Sequence, residues 1–232
     1  KLPSKAGLKY RDAFLRHEEL CTRYVEFIDN KNSKINAKTL YPYDIVRNVW
    51  KCGYFYDSSK RRVLDKYWKA LPDYFEGKPC SILPVVDNSG SMTWNENGGV
   101  IPIDVAVSLG IYCAERNVGD FHNHYISFSR TPKLVEIKGN DIVGKAYSAV
   151  KNILYEETNI EAVFDLILNT LKKNNLSEEY LPKHIVIISD MEFDEGTNCN
   201  DSETLMERIR KQWKKEGYTM PSLVYWLSLI HI

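Results

Sequence analysis

The stretch Ser81-Ile82-Leu83-Pro84-Val85-Val86-Asp87-Asn88-Ser89-Gly90-Ser91 decides how the rest of the chain is read. Ser81 to Val86 is an apolar run of strand length, and it breaks at once into a loop bearing one carboxylate, one amide and two hydroxyls. A strand that is apolar on both faces belongs to a sheet covered by helices. Ligands of such sheets bind beyond the C-terminal strand ends, which is where this loop falls. Gly90 is read as the residue that lets the backbone turn tightly, so that Ser89 and Ser91 face the same point as Asp87.

Downstream, short apolar runs alternate with helical stripes. Asn123 to Ser129, His184 to Ser189 and Ser222 to Leu229 read as further strands, and Lys133 to Lys138 as an added strand in a hairpin across Arg130-Thr131-Pro132. Ile101 to Cys113 is apolar almost all round, as a covered helix is. Ile142, Val143, Ala146, Val150 and Ile153 mark one amphipathic helix; Ile160, Val163, Phe164, Ile167, Leu168 and Leu171 mark a stronger one. Leu205, Met206, Ile209 and Trp213 mark a helix that stops near Gly217. The pattern predicts an α/β fold, a Rossmann-like, doubly wound and mostly parallel sheet, over residues 79–232.

Upstream the reading is all-helical over residues 1–78. One long helix is expected across Leu8 to Ile28, a second from Pro42 with the stripe Ile45, Val46, Val49 and Trp50, and a third through Val63, Leu64, Tyr67, Trp68 and Leu71 up to Pro72. Aromatics at this spacing pack a core, and they are also the residues on which nucleic-acid bases stack.

The chain has 232 residues, 44% of them hydrophobic and 27% charged, which excludes a disordered or collagen-like chain. No apolar run reaches the roughly 20 residues of a membrane helix. Zero net charge hides an asymmetry: residues 1–78 carry 17 Lys/Arg against 10 Asp/Glu, and the remainder 14 against 21. A basic segment serves as a phosphate-binding surface or simply as solvated helical faces. The five cysteines, Cys21, Cys52, Cys80, Cys113 and Cys199, are odd in number and include no C-x-x-C pair. Together with a start that lacks both Met and a secretory leader, they lead us to expect a cytoplasmic or other intracellular protein, and a chain that is a fragment of a longer one.

Asp87, Ser89 and Ser91 form an Asp-x-Ser-x-Ser set, the mixture of one charge and small hydroxyls that suits a hard, partly hydrated dication such as Mg²⁺. Two other loops can add oxygen. Thr158 stands just before the strongest amphipathic helix, where it is a ligand or an N-cap in competition with Asn159; Asp190 ends the strand His184 to Ser189, as a ligand or a turn carboxylate. Glu96, Glu156, Glu157, Glu192 and Asp194 crowd the same loops, tuning ion affinity or forming a solvated acidic rim. Enzyme signatures are thin. His122 and His124 lie two apart on a strand without a third ligand, and neither H-E-x-x-H nor G-x-S-x-G occurs.

These residues resemble von Willebrand factor A-like domains, whose metal-ion-dependent adhesion site uses Asp-x-Ser-x-Ser with a distant Thr and Asp. The resemblance implies Asp87, Ser89, Ser91, Thr158 and Asp190 as ligands of Mg²⁺, with Mn²⁺ or Ca²⁺ as substitutes. A closer resemblance is to a domain-of-unknown-function family numbered 2828, carried by Ile35-Asn36-Ala37-Lys38-Thr39-Leu40-Tyr41-Pro42-Tyr43, Leu83 to Met92, Thr158-Asn159 with Val163 to Leu168, and Ser189-Asp190-Met191-Glu192-Phe193-Asp194. It departs at Trp226-Leu227-Ser228, where that family continues with Trp-Asn, so the domain is expected to be truncated there. A helical part followed by such a domain is also similar to the architecture of Ro-type RNA-binding proteins, whose helical part holds small RNA.

The function expected is therefore a divalent-metal-dependent binding or scaffold module, not an enzyme, that engages an Asp or Glu of a partner protein. The alternative is RNA binding by the basic helical segment. A Mg²⁺-dependent phosphoryl hydrolase ranks third.

Overall fold

The computed structural model describes residues 2–50, 57–78, 81–94, 99–151, 159–190 and 204–227. These fall into two compact units, residues 1–78 with 138–151, and residues 79–137 with 152–232.

The first unit is helical: α1 (Ser4–Arg16), α2 (Glu18–Asp29), α3 (Pro42–Trp50), α4 (Ser58–Lys69), and a later segment that the sequence pattern assigns to the sheet domain. The single helix expected over Leu8 to Ile28 is two, because His17 adopts an extended backbone with φ −81° and ψ 115°. No Pro or Gly announces this break. Helix α4 packs on α1, α2 and α3, burying Val63, Leu64, Tyr67 and Trp68 with Leu8, Ile28, Ile45, Val46 and Val49.

The second unit begins with β1 (Ile82–Asp87), followed by α5 (Pro102–Arg116), β2 (His124–Phe128) and β3 (Lys133–Glu136). The chain then supplies α6 (Ile142–Val150), which packs on α3 and α4, so that residues 138–151 belong to the helical unit and not to the sheet unit. The reason is polar as well as apolar. Asp141 caps α6 by accepting the Gly144 N–H at 2.7 Å, and its two oxygens take Arg61 Nε and Nη2 at 2.8 Å each, while Asp65 Oδ1 accepts the Ile142 N–H at 3.2 Å. The sheet unit resumes with α7 (Ile160–Lys173), β4 (His184–Ser189), α8 (Leu205–Lys215) and β5 (Ser222–Leu227).

The five strands run in the order β3-β2-β1-β4-β5, all parallel except β3, which forms the expected hairpin with β2. Alternate side chains divide the faces. Leu83 and Val85 of β1, Ile126 and Phe128 of β2, and Ile185 and Ile187 of β4 pack under Val163, Phe164, Leu168, Ile209 and Trp213 of α7 and α8. Phe164 and Trp213 meet edge to face at 6.4 Å. On the opposite face Gly110 of α5 lies so close to Val86 that a Cβ there would stand 2.5 Å from Val86 Cγ2. Helix α5 is covered on most sides, which explains its all-round apolar sequence. Asn117, buried just past α5, accepts the Ile82 N–H at 2.9 Å and donates to the Ile82 carbonyl, tying down the start of β1.

Among the described residues no helix is long and apolar enough to cross a membrane. Cys21 and Cys113 are half-buried; Cys52, Cys80 and Cys199 lie outside the described residues.

Candidate functional site

The strand order reverses direction between β1 and β4, one continuing to β2 and the other to β5. Such a reversal leaves a crevice at the C-terminal strand ends, because the connections leave toward opposite sides. Asp87 ends β1 and Ser189 ends β4 next to it, since Val86 stands opposite Ile188.

The Asp87 carboxylate is fully buried. Its Oδ1 accepts the Ser89 N–H at 2.9 Å, and its Oδ2 accepts the Ser189 hydroxyl. Ser89 Oγ and Ser91 Oγ are 3.0 Å apart, so one donates to the other. The loop is held by a short 3₁₀ turn over Ser91–Thr93, in which the Thr93 N–H and hydroxyl both donate to the Gly90 carbonyl, and Met92 is driven fully into the interior. Gly90 itself has φ −61° and ψ −37°, and a Cβ there would meet open space. The turn is thus made by hydrogen bonds and the Met92 anchor, and the conformational freedom of glycine is not what brings the serines together.

Burial pushes the Asp87 carboxyl above the usual carboxylate range; hydrogen bonds from Ser189 and Ser89 act against this, and the negative charge of Asp190 adds to it. Among the described residues no cationic side chain contributes to that balance. Asp190, directly after β4, is half-buried. Of the five predicted ligands the structure therefore gathers Asp87, Ser89 and Ser91 in one loop and sets Asp190 within electrostatic range. Thr158 lies outside the described residues, as do Glu96, Glu156, Glu157, Glu192 and Asp194. The cap of α7 is Asn159, whose side chain accepts the Ala162 N–H at 3.0 Å.

Ser189 does not stand out as a site residue in the sequence, although it is the polar end of an otherwise apolar strand, immediately before Asp190. Two further polar groups continue the same strands. Asn88 follows Asp87 and Ser129 follows Phe128, which are register partners; both side chains are buried, and among the described residues neither Asn88 Oδ1 and Nδ2 nor Ser129 Oγ has a hydrogen-bond partner. Each such group costs about 1–3 kcal/mol, a cost a fold built for stability alone would avoid.

The donor set is all oxygen. The Asp87 carboxylate accepts the Ser89 N–H and the Ser189 hydroxyl and also interacts with the Ser89 hydroxyl, which in turn pairs with Ser91 Oγ, so carboxylate and hydroxyl oxygens converge in this loop with lone-pair capacity left on them. This suits a hard dication such as Mg²⁺, Mn²⁺ or Ca²⁺. Among the described residues no group of three or more His, Cys, Asp or Glu is placed to hold a metal. Of the two histidines, His122 precedes β2, which starts at His124, and the Nδ1 atoms of both are engaged with backbone carbonyl oxygens at 3.0 and 2.8 Å.

The fold and loop define a mixed α/β protein with a five-stranded, mostly parallel sheet and an oxygen-rich crevice at its strand-order reversal. Residues 81–229 match the family described as Domain of unknown function (DUF7788), and the chain belongs to that family. The motif resemblance points to the family numbered 2828; the match gives DUF7788. Over 97% of its length the chain is 26% identical to the uncharacterized protein L728 of Acanthamoeba polyphaga mimivirus, covering 40% of that protein. It is also similar to the crystal structure of the Deinococcus radiodurans RO (RSR) protein, with a TM-score of 0.56 and 14% identity, covering 97% of this chain and 46% of that one. The chain thus spans less than half the length of each, and the likeness to RO is one of fold.

Proposed function

We propose that the sheet unit is a von Willebrand factor A-like binding module whose crevice holds a divalent cation, Mg²⁺ by preference, through Asp87, Ser89, Ser91, Thr158 and Asp190. The observation that carries this reading is a buried carboxylate, raised in pKa and with no cationic neighbour among the described residues, beside two hydroxyls 3.0 Å from each other. When bound, the dication supplies positive charge and an open coordination position that an Asp or Glu of a partner protein can occupy. Asp87 supplies the charge nearest the centre of the sheet. Ser189 orients that carboxylate through its hydroxyl, Ser89 does so through its N–H, and Met92 fixes the loop that presents both serines. No catalytic residue is assigned; the reading is of binding.

Capture of partner proteins in Mg²⁺ tests it. Capture lost in EDTA, and lost in Ser89→Ala/Ser91→Ala with folding kept, supports the reading. Capture indifferent to both opposes it.

A second reading, RNA binding by the helical unit, is favoured by charge: with residues 138–151 included, that unit carries 20 Lys/Arg against 11 Asp/Glu. It predicts RNA affinity that falls steeply with salt and survives EDTA.

A further inference from the structure

Two cavities of the helical unit share a wall. The first, about 610 Å³, is lined by Lys31, Lys34, Arg62 and Lys69 together with Asp29 and Asp65. The second, about 430 Å³, is lined by Tyr24, Phe27 and Tyr67 with Leu2. Lys34 and Ile35 belong to both, so a basic hollow and an aromatic one open side by side. Each volume lies in the range of small-molecule sites, roughly 300–1,000 Å³.

The charges of the basic hollow are not equivalent. Asp29 is paired with Arg62 at 2.9 Å and Asp65 with Lys69 at 2.6 Å. Lys66, which also borders this cavity, donates to the Ile28 and Asn30 carbonyls at 2.7 Å and to Ser33 Oγ at 2.6 Å. Its ammonium is committed to closing the C-terminal end of α2. Lys31 and Lys34 remain, both exposed and with no hydrogen bond or ion pair among the described residues. Flexible, uncommitted ammonium groups are suited to phosphate as point charges. The neighbouring hollow offers ring surface, with Phe27 40% exposed, which a bare anion would leave unused. A ligand that uses both has an anionic end and a flat apolar end.

We infer that the joined cavities bind a nucleotide, its phosphate on Lys31 and Lys34 and its base against Phe27 and Tyr24. The same chemistry is offered by a free nucleotide and by one unit of a single-stranded RNA. The first source is independent of both readings above; the second rests on the RNA-binding reading and gives it a place.

The test uses the full chain in EDTA, with ATP titrated by calorimetry and a fluorescein-labelled eight-nucleotide RNA by anisotropy. Wild type is compared with Lys31→Gln/Lys34→Gln, Phe27→Ala and Phe27→Leu, the last keeping apolar volume without the π-face. Binding of either ligand is expected, weakened about tenfold or more by the lysine pair and about tenfold by both Phe27 variants. Binding of ATP identifies a free nucleotide as a ligand, and binding of RNA alone identifies the strand. Absence of binding by both at millimolar concentration overturns the inference, as does pyrophosphate competing as well as ATP while the Phe27 variants are silent. RNA bound equally by wild type and all variants overturns this site and leaves the RNA reading of the helical unit standing.

Discussion

Asp141 in the helical unit and Asp87 in the sheet unit are both carboxylates that organise a backbone turn, yet their surroundings push them in opposite directions. For Asp141 burial raises the pKa, but the hydrogen bonds from Arg61 and the Gly144 N–H, with the charge of Arg61, outweigh it and hold the carboxyl below its ordinary value. For Asp87 burial dominates, and the hydrogen bonds from Ser189 and from the N–H and hydroxyl of Ser89 are too weak to compensate, with Asp190 adding repulsion. One carboxylate has its counter-charge built into the chain. The other has none among the described residues, and that difference separates a structural ion pair from a site awaiting a cation.

The largest expected effect lies at the site. Asp87→Asn should lower Mn²⁺ affinity by about 100-fold or more in calorimetry, because it removes the charged ligand while keeping the shape. The same variant should leave the metal-free protein as stable as wild type at neutral pH, or more so. A folded pKa above the ordinary one is a penalty that is full at high pH and disappears as pH falls into the ordinary carboxylate range, so any gain from Asp87→Asn closes on acidification.

Next is the packing that holds the strand ends. Trp213 and Phe164 close the sheet face beneath β1 and β4, and Trp213→Ala should cost about 3–5 kcal/mol in denaturant unfolding. Asp141→Ala should cost less, about 1–2 kcal/mol, from the lost cap and the half-exposed pair with Arg61. Its pH dependence has the opposite sign to that of Asp87: a depressed folded pKa contributes stability that is full above the ordinary carboxylate range and is lost as pH falls through the folded value. Unfolding curves from pH 7 to pH 3 for the two variants should therefore slope apart, and parallel slopes would break the comparison. The smallest effect belongs to Gly90→Ala. With an ordinary helical backbone and open space at the Cβ, it should change stability by no more than about 1 kcal/mol, toward stabilisation.

Much of the sheet was legible because its strands are apolar runs with polar ends. His184 to Ser189 is the observed β4, and the run Ser81 to Val86 differs from β1 by one residue at each end. The hairpin followed from Arg130-Thr131-Pro132. What escaped was set by partners distant in sequence. The stripe at Ile142 to Val150 shows a helix but not which surface receives it; that is decided by Arg61, 80 residues earlier. The break at His17 has no composition signal, since only its backbone angles distinguish it. At the site, Asp87, Ser89 and Ser91 were legible from spacing, while the role of Ser189 depends on β1 and β4 being neighbours, which no local pattern states.

The central claim is that the carboxylate at the end of β1 waits for a dication, and Mn²⁺-induced paramagnetic broadening of backbone amide NMR signals tests it most directly. At substoichiometric Mn²⁺ the account predicts selective loss of the signals from residues 87–92 and 189–190, abolished in Asp87→Asn. Broadening spread evenly over the acidic surface, or the same pattern in Asp87→Asn, would contradict it.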